Sequence, residues 1–196
     1  MKINMILKSF LILTILLSGC NKDDNKTEDQ GCGKEENYFE AEFDGEVIEP
    51  RWITGGGVSA YTLYVNRNNE DVNDWEISLT SNNRISLYFS LMNVGETGNY
   101  PIDEASSNGL PPIPFKYSKT YVYIEKIITD STVYYFSKEE SGNISITEYN
   151  SEKGILVGTF NCNLYSSVNP AITKPITGKF NINLSTLNID ERPCWL

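Results

Sequence analysis

The feature that most constrains the fold of this chain is an alternation of apolar and polar residues, which begins at Tyr38. In residues 74–80, Trp75, Ile77 and Leu79 share one parity and polar residues lie between them. A period of two gives each segment one buried and one solvated face, which is typical of β-strands. The same pattern predicts these further inward sets: Phe39, Ala41 and Phe43; Tyr61, Leu63 and Val65; Ile85, Leu87, Phe89 and Leu91; Ile144 and Ile146; Leu156, Gly158, Phe160, Cys162 and Leu164; Phe180, Ile182 and Leu184.

Turn-forming residues separate these segments. The pair Asp44-Gly45 predicts a short hairpin after the first strand. Ser81-Asn82-Asn83 separates two strongly alternating segments, and no stretch has a convincing period of 3.6. We therefore predict an all-β fold, an antiparallel β-sandwich of about 8–10 strands, with a barrel as the alternative.

Two segments depart from the alternation. Residues 66–74 are almost entirely polar and predict a loop. Residues 106–115 end in Leu-Pro-Pro-Ile-Pro-Phe, which cannot pair as a central strand because proline has no N–H. The apolar part of this second loop either contacts a partner or caps one end of the sandwich.

The first nineteen residues predict a secretory signal peptide. Lys2 and Lys8 precede a short apolar stretch, residues 10–17, and small residues follow it. A transmembrane helix needs about 20 apolar residues, so this stretch is too short to span a bilayer. Residues 21–36 are polar and unpatterned, which argues against a buried helix.

Leu17-Ser18-Gly19-Cys20 resembles the lipobox of bacterial lipoproteins. The resemblance implies cleavage before Cys20 and a lipid on its sulfur, because a thiolate is a good nucleophile. It also implies stable membrane anchoring, since two or three acyl chains hold where one is marginal.

Three charged residues that follow the cysteine make the expected location more specific. Lys22, Asp23 and Asp24 resemble the signal that exports some Gram-negative lipoproteins to the outer face of the outer membrane, although any solvated tether is charged. The expected organisation is a signal peptide at 1–19, a lipidated flexible tether at 20–37 and a β-sandwich domain at 38–196.

The charge of the chain limits its partners. The formal net charge is −10, and loss of Lys2 and Lys8 with the signal leaves 14 basic against 26 acidic residues. Nucleic-acid binding needs clustered Lys and Arg, so no nucleic-acid partner is expected. Contact with the membrane is expected through the N-terminal lipid alone, because an acidic chain is not attracted to anionic lipid.

The cysteines suggest one disulfide. With Cys20 used for lipid, three thiols remain. Cys162 shares the inward parity of its strand and is predicted to be a small core residue. Cys32 and Cys194 lie near the two ends of the mature chain, and in an oxidising compartment we expect them to form a disulfide. The alternative is that both thiols are unpaired.

Catalysis and cofactors have little support in the sequence. The chain has no histidine, which excludes Ser-His-Asp and Cys-His catalysis and removes the commonest transition-metal ligand. A carboxylate-based hydrolase remains formally possible, but no pair of acids stands out. Glu70, Asp71 and Asp74 are weak Ca²⁺ candidates, and a solvated hairpin tip explains them more simply. No cofactor is expected, and a non-enzymatic binding or structural module is the favoured class.

The aromatic residues suggest a possible ligand. The chain has twelve Tyr, and several are expected on outward faces, where rings can stack on sugars. These are Tyr64, Tyr88, Tyr121, Tyr123 and Tyr149. The competing explanation is cross-strand packing, for which Tyr is a favoured residue. A glycan or a protein is therefore the expected kind of ligand.

The order of several short motifs resembles a family of small uncharacterised bacterial lipoproteins with an all-β domain. The motifs are Phe39-x-Ala41-x-x-Asp44-Gly45, Gly98-Asn99-Tyr100-Pro101-Ile102, Gly142-x-Ile144-x-Ile146-Thr147, Gly158-Thr159-Phe160 and Ile176-Thr177-Gly178-Lys179-Phe180. The resemblance covers most of residues 38–185 and implies an all-β fold, with no functional residues to carry over. Val47 replaces the aromatic residue usual after the Asp-Gly pair.

Overall fold

A computed structural model describes residues 36–68, 73–105, 119–193 and 196. Within these residues the chain forms thirteen strands and no helix. The strands are β1 Tyr38–Phe43, β2 Glu46–Ile48, β3 Trp52–Gly55, β4 Val58–Tyr61, β5 Leu63–Asn68, β6 Asp74–Thr80, β7 Ile85–Leu91, β8 Gly98–Pro101, β9 Tyr121–Ile128, β10 Ser131–Phe136, β11 Gly142–Asn150, β12 Ile155–Ser166 and β13 Thr173–Asn183. The predicted all-β class is confirmed. The strand number exceeds the prediction because β2, β3, β4 and β8 are too short to show an alternation.

One antiparallel sheet contains eleven of these strands and curls on itself. Its main path runs β2-β1-β13-β12-β10-β9-β7-β6-β5, and β11 and β8 extend from β12. Strands β3 and β4 form a separate hairpin. The hairpin leads into β5 through Thr62, whose N–H donates to the carbonyl oxygen of Arg51. Trp52 of β3 packs on the core, so the hairpin helps to cover it.

Strand β12 joins the two layers of the sandwich. Its residues Ile155–Cys162 pair with β11, whereas Tyr165 and Ser166 pair with β10 on the same edge. The chain leaves this edge between β10 and β11, and Ser137 is fully buried there. One layer therefore contains β2, β1, β13, β12, β11 and β8, and the other contains β10, β9, β7, β6 and β5.

Four phenylalanines hold the two layers together. Phe39, Phe160 and Phe180 come from the first layer and Phe89 from the second, and all are buried. The ring centroids of Phe89 and Phe160 are 5.1 Å apart, and those of Phe39 and Phe89 are 6.0 Å apart. Buried aromatic pairs at this spacing contribute beyond the area that they remove from water. The predicted inward parity of the long strands is thus confirmed.

The two ends of the sandwich differ in their connections. The turn end has the β1–β2, β6–β7, β9–β10 and β12–β13 turns. Asp44 and Gly45 form the first of these, both with positive φ as a type I′ hairpin requires, so the predicted hairpin is confirmed. The entry end is where β1 begins and β13 finishes. Here the Asn37 side chain accepts a hydrogen bond from the Asn183 N–H at 2.8 Å.

The loop predicted at residues 66–74 is shorter in the structure, because both of its ends belong to strands. Asn66 and Arg67 belong to β5, and Asp74 begins β6. Strand β5 is at the edge of the sheet, where packing does not require apolar side chains at every position, and Asp74 is the first residue of β6. The apolar loop segment at 110–115 lies outside the described residues. The described part of the chain contains no helix long and apolar enough to cross a membrane.

Candidate functional site

Most residues singled out from the sequence lie outside the described part of the chain. These are Cys20, Lys22, Asp23, Asp24, Cys32, Cys194, Glu70 and Asp71. Asp74 is described, and its Oδ1 accepts a hydrogen bond from the Asn93 N–H at 3.0 Å. Among the described residues, no group of three or more Cys, Asp or Glu side chains could hold a metal ion.

Cys162 lies in the core, as its parity predicts. The side chain is 5% exposed and belongs to the main apolar cluster. Burial raises the pKa of the Cys162 thiol to about 12. Burial and the raised pKa both disfavour the nucleophilic thiolate, so Cys162 serves as a small apolar residue of the core.

The outer surface of the second layer contains a cluster of rings, which we call the tyrosine face. It consists of Tyr88, Tyr121, Tyr123, Tyr134 and Phe136. Tyr88 and Tyr123 stack with centroids 4.4 Å apart, and Tyr134 stacks on Phe136 at 6.0 Å. These rings pack against one another, so the main role of the cluster is to stabilise the fold.

A short segment covers one side of the tyrosine face. Ala105 belongs to one buried cluster with Tyr121, Tyr123 and Phe136, and its N–H donates to the Ser137 carbonyl oxygen at 3.0 Å. The Ser137 hydroxyl donates to the Asp103 carbonyl oxygen at 2.8 Å. Burial raises the pKa of Tyr121 to about 12, and the Glu76 carboxylate acts in the same direction. Burial also raises the pKa of Tyr123.

The five tyrosines expected to face outward therefore have different surroundings. Tyr121 and Tyr123 are only 5% and 7% exposed. Tyr88 is half-buried beneath its stacking contact, and the Tyr149 hydroxyl is buried. Tyr64, on β5, is 54% exposed. The structure does not bring these five rings together as one exposed platform.

The outer surface of the first layer is polar and open, and we call it the polar face. It consists of Glu40, Glu42, Asn143, Ser145, Thr159, Asn161, Asn163, Thr177 and Lys179. Strand register aligns Asn143, Asn161, Thr177 and Glu42 in one row across β11, β12, β13 and β1. Ser145, Thr159, Lys179 and Glu40 form the next row. Neighbouring positions in a row are about 4.8 Å apart.

A depression of about 360 Å³ lies on this face beside β2. Side chains that line it include Glu40, Glu42, Val47, Thr159, Thr177 and Lys179. The Lys179 ammonium lies 3.4 Å from the Glu40 carboxylate, and Val47 is 54% exposed. The depression thus offers hydroxyls, charges of both signs and one apolar contact.

The hydrogen-bonding capacity of the polar face is its main chemical property. Asn side chains each have two donors and one acceptor oxygen, and Thr and Ser hydroxyls both donate and accept. Such groups can exchange water for a ligand that also donates and accepts, with little loss of hydrogen bonding. In the sequence, this face is indicated by the polar residues that alternate with the apolar residues of β11, β12 and β13.

Glu40 and Glu42 are the two carboxylates in the depression. They are two residues apart on β1 and face the same side, which places their Cα atoms about 7 Å apart. A glycosidase uses two carboxyls at comparable separation, but its general acid is a desolvated carboxyl. Both glutamates lie on an open face, so the pair fits ligand contact better than proton donation.

No family model, curated protein or solved structure matches this chain. Any functional assignment therefore rests on the residues of the chain itself and on their geometry.

Proposed function

We propose that this chain is a lipid-anchored lipoprotein on the outer face of the outer membrane of a Gram-negative bacterium. We further propose that it is a non-enzymatic binding module whose polar face contacts a hydroxyl-rich ligand of the carbohydrate class. The anchor rests on the lipobox-like Leu17-Ser18-Gly19-Cys20 and on the charged residues after it. Membership of the all-β lipoprotein family is part of the same proposal.

The observation that carries the binding proposal is the regular arrangement of amides and hydroxyls on the polar face. Asn143, Asn161 and Thr177 are exposed and aligned across three strands. A saccharide presents hydroxyls at repeated intervals and can bond to such a row at several points. Because the side chains stand on paired strands, little backbone freedom is lost when a ligand binds.

Glycan capture through outward tyrosines has less support. Two of the five rings are buried, and Tyr88 is held by its stack on Tyr123. Tyr64 has the exposure for a stacking contact, but one ring is a small platform. We therefore assign the contact to the polar face and use Tyr64 as a control.

The proposed anchor is tested in a bacterial host fed with labelled palmitate. The chain should incorporate the label, and Cys20→Ala should abolish incorporation and release the protein from the membrane fraction. Protease added to intact cells should degrade the chain, and Asp23→Ala/Asp24→Ala should protect it. A wild-type chain without label would contradict the proposed anchor.

The proposed ligand class is tested by applying the full chain in detergent to an array of neutral and acidic oligosaccharides. We expect saturable binding to at least one saccharide. The triple variant Thr159→Ala/Asn161→Ala/Thr177→Ala should weaken that binding at least tenfold, whereas Tyr64→Ala should not change it. No binding, or binding lost only in Tyr64→Ala, would overturn the assignment.

A further inference from the structure

The entry end of the sandwich is closed by an arginine. Arg67, on the inward side of β5, places its guanidinium carbon 5.5 Å from the centre of the Trp75 ring. One of its terminal nitrogens donates to the carbonyl oxygen of Ser151, in the β11–β12 turn of the other layer. The other donates to Asn73 Oδ1 at 2.6 Å. The side chain therefore bridges the two layers above the core.

Three polar atoms around this arginine are buried and have no hydrogen-bond partner among the described residues. They are Arg67 Nε, Trp75 Nε1 and the Tyr149 hydroxyl oxygen. We call these three residues the donor cluster. Trp75 is completely buried, so its indole N–H has no access to bulk water. The Tyr149 hydroxyl lies near the Trp75 indole nitrogen and the Ser151 side chain, but neither contact meets strict hydrogen-bond geometry. Buried polar groups in folded proteins are almost always paired, so this set points to a missing partner.

The chemistry of the donor cluster defines that partner. A guanidinium and an indole can only donate hydrogen bonds, so the partner must accept them. The guanidinium is also permanently charged, and among the described residues no carboxylate forms an ion pair with it. At the turn end, by contrast, Lys126 pairs with Glu46 and Lys174 pairs with Asp44. Within the described part of the chain, the Arg67 charge is therefore not neutralised by an ion pair, and it favours a partner with one negative charge.

We propose that the donor cluster binds a carboxylate group supplied by a ligand. A carboxylate has one negative charge and accepts several hydrogen bonds at once, which matches three donors and one cation. Arg67, Asn73 and Ser151 are half-buried, so the cluster lies close to solvent at the entry end. The group could be a small acid, an acidic sugar or a peptide C terminus, which share this chemistry. The site is separate from the polar face.

The test uses the indole N–H of Trp75 as a local probe. The full chain is labelled with ¹⁵N-tryptophan in detergent, which gives three indole signals, and Trp75→Phe identifies the relevant one. Acetate, glucuronate and N-acetylglycine are added at constant ionic strength, with chloride and glucose as controls. We expect a saturable downfield shift of the Trp75 signal with at least one carboxylate. The carboxylate that binds most tightly identifies the ligand as a small acid, an acidic sugar or a peptide C terminus.

Variants decide whether the cluster itself binds the probe. Arg67→Gln should weaken carboxylate affinity at least tenfold, because the charge is lost. Tyr149→Phe should weaken it about threefold and keeps the ring, so it remains informative if Arg67→Gln does not fold. Tyr100→Phe is the matched control, since that hydroxyl already donates to the Glu96 carbonyl oxygen at 2.7 Å. A Trp75 signal that ignores all three carboxylates, or that moves equally with chloride, would show that only water fills the cluster and would overturn the proposal.

Discussion

The two outer faces of the sandwich come from the same alternation along the strands, but one face is rich in aromatic rings and the other is polar. On the second layer, one row across β5, β6, β7, β9 and β10 contains Tyr64, Ser78, Tyr88, Tyr123 and Phe136. On the first layer, the matching row across β2, β1, β13, β12 and β11 contains Val47, Glu42, Thr177, Asn161 and Asn143. The first row is rich in rings that stack, and the second is rich in groups that hydrogen-bond to water.

The difference shows how outward residues divide between stability and contact. Aromatic rings on the second layer remove one another from water, so their contribution is to folding. Amides and hydroxyls on the first layer remain solvated, and folding gains little from them. Surface residues that do not stabilise the fold are free to serve a ligand, which is why we place the binding function on the polar face.

The largest expected effect comes from opening the tyrosine face. Tyr123→Ala should lower the free energy of unfolding by about 3 kcal/mol, because it removes a buried ring and its stack on Tyr88. Urea denaturation measures the change. Tyr64→Ala, in the same row, should shift stability by less than about 0.5 kcal/mol, since that ring is exposed. Equal effects of the two variants would remove the distinction between packed and free tyrosines.

A substitution on the inner side of the strands that form the polar face should destabilise the fold. Gly178 lies on β13 behind this face, and a Cβ there would overlap the Phe160 ring and approach the Glu40 carbonyl oxygen. Gly178→Ala should therefore cost about 1–3 kcal/mol through overpacking, measured by the same denaturation. Gly95→Ala meets open space and should change stability by less than about 0.5 kcal/mol. A neutral Gly178→Ala would contradict the close approach of strand and ring.

Alkaline pH should weaken the tyrosine face before the polar face. Burial raises the pKa of Tyr121 to about 12, above its ordinary value near 10. The unfolded chain therefore loses the Tyr121 proton first, and the stability that this residue contributes declines as pH rises from about 10 to about 12. The urea midpoint should decline in that window. Tyr121→Phe should reduce the decline, and an unchanged slope would contradict the assignment of this titration to Tyr121.

The sequence predicted the fold better than it predicted the surfaces. The parity of Trp75, Ile77 and Leu79 indicated the inward face of β6, and Asp44-Gly45 indicated the first hairpin. Parity gives the side of a strand but not what covers it, so Tyr121 and Tyr123 were expected outside although Ala105 packs on them. Arg67 was assigned to a loop because nothing local reveals its contact with Ser151, 84 residues away.

The smallest expected effect on stability is on the polar face itself. Asn161→Ala removes an amide that is exposed on the open polar face and should change the free energy of unfolding by less than about 0.5 kcal/mol. The same substitution is expected to weaken saccharide binding. A thermal denaturation of Asn161→Ala that showed a large loss would indicate that the polar face is structural.

The most direct test of the central claim is to observe which outer face a ligand touches. The ¹⁵N-labelled full chain in detergent would be titrated with the oligosaccharide that gives the strongest array signal, while the side-chain amide signals of Asn143, Asn161 and Asn163 are monitored. We predict that these three signals move together and saturate, while backbone signals of Tyr64 and Tyr88 stay fixed. Movement at Tyr64 and Tyr88 with unchanged Asn signals would contradict the assignment of binding to the polar face.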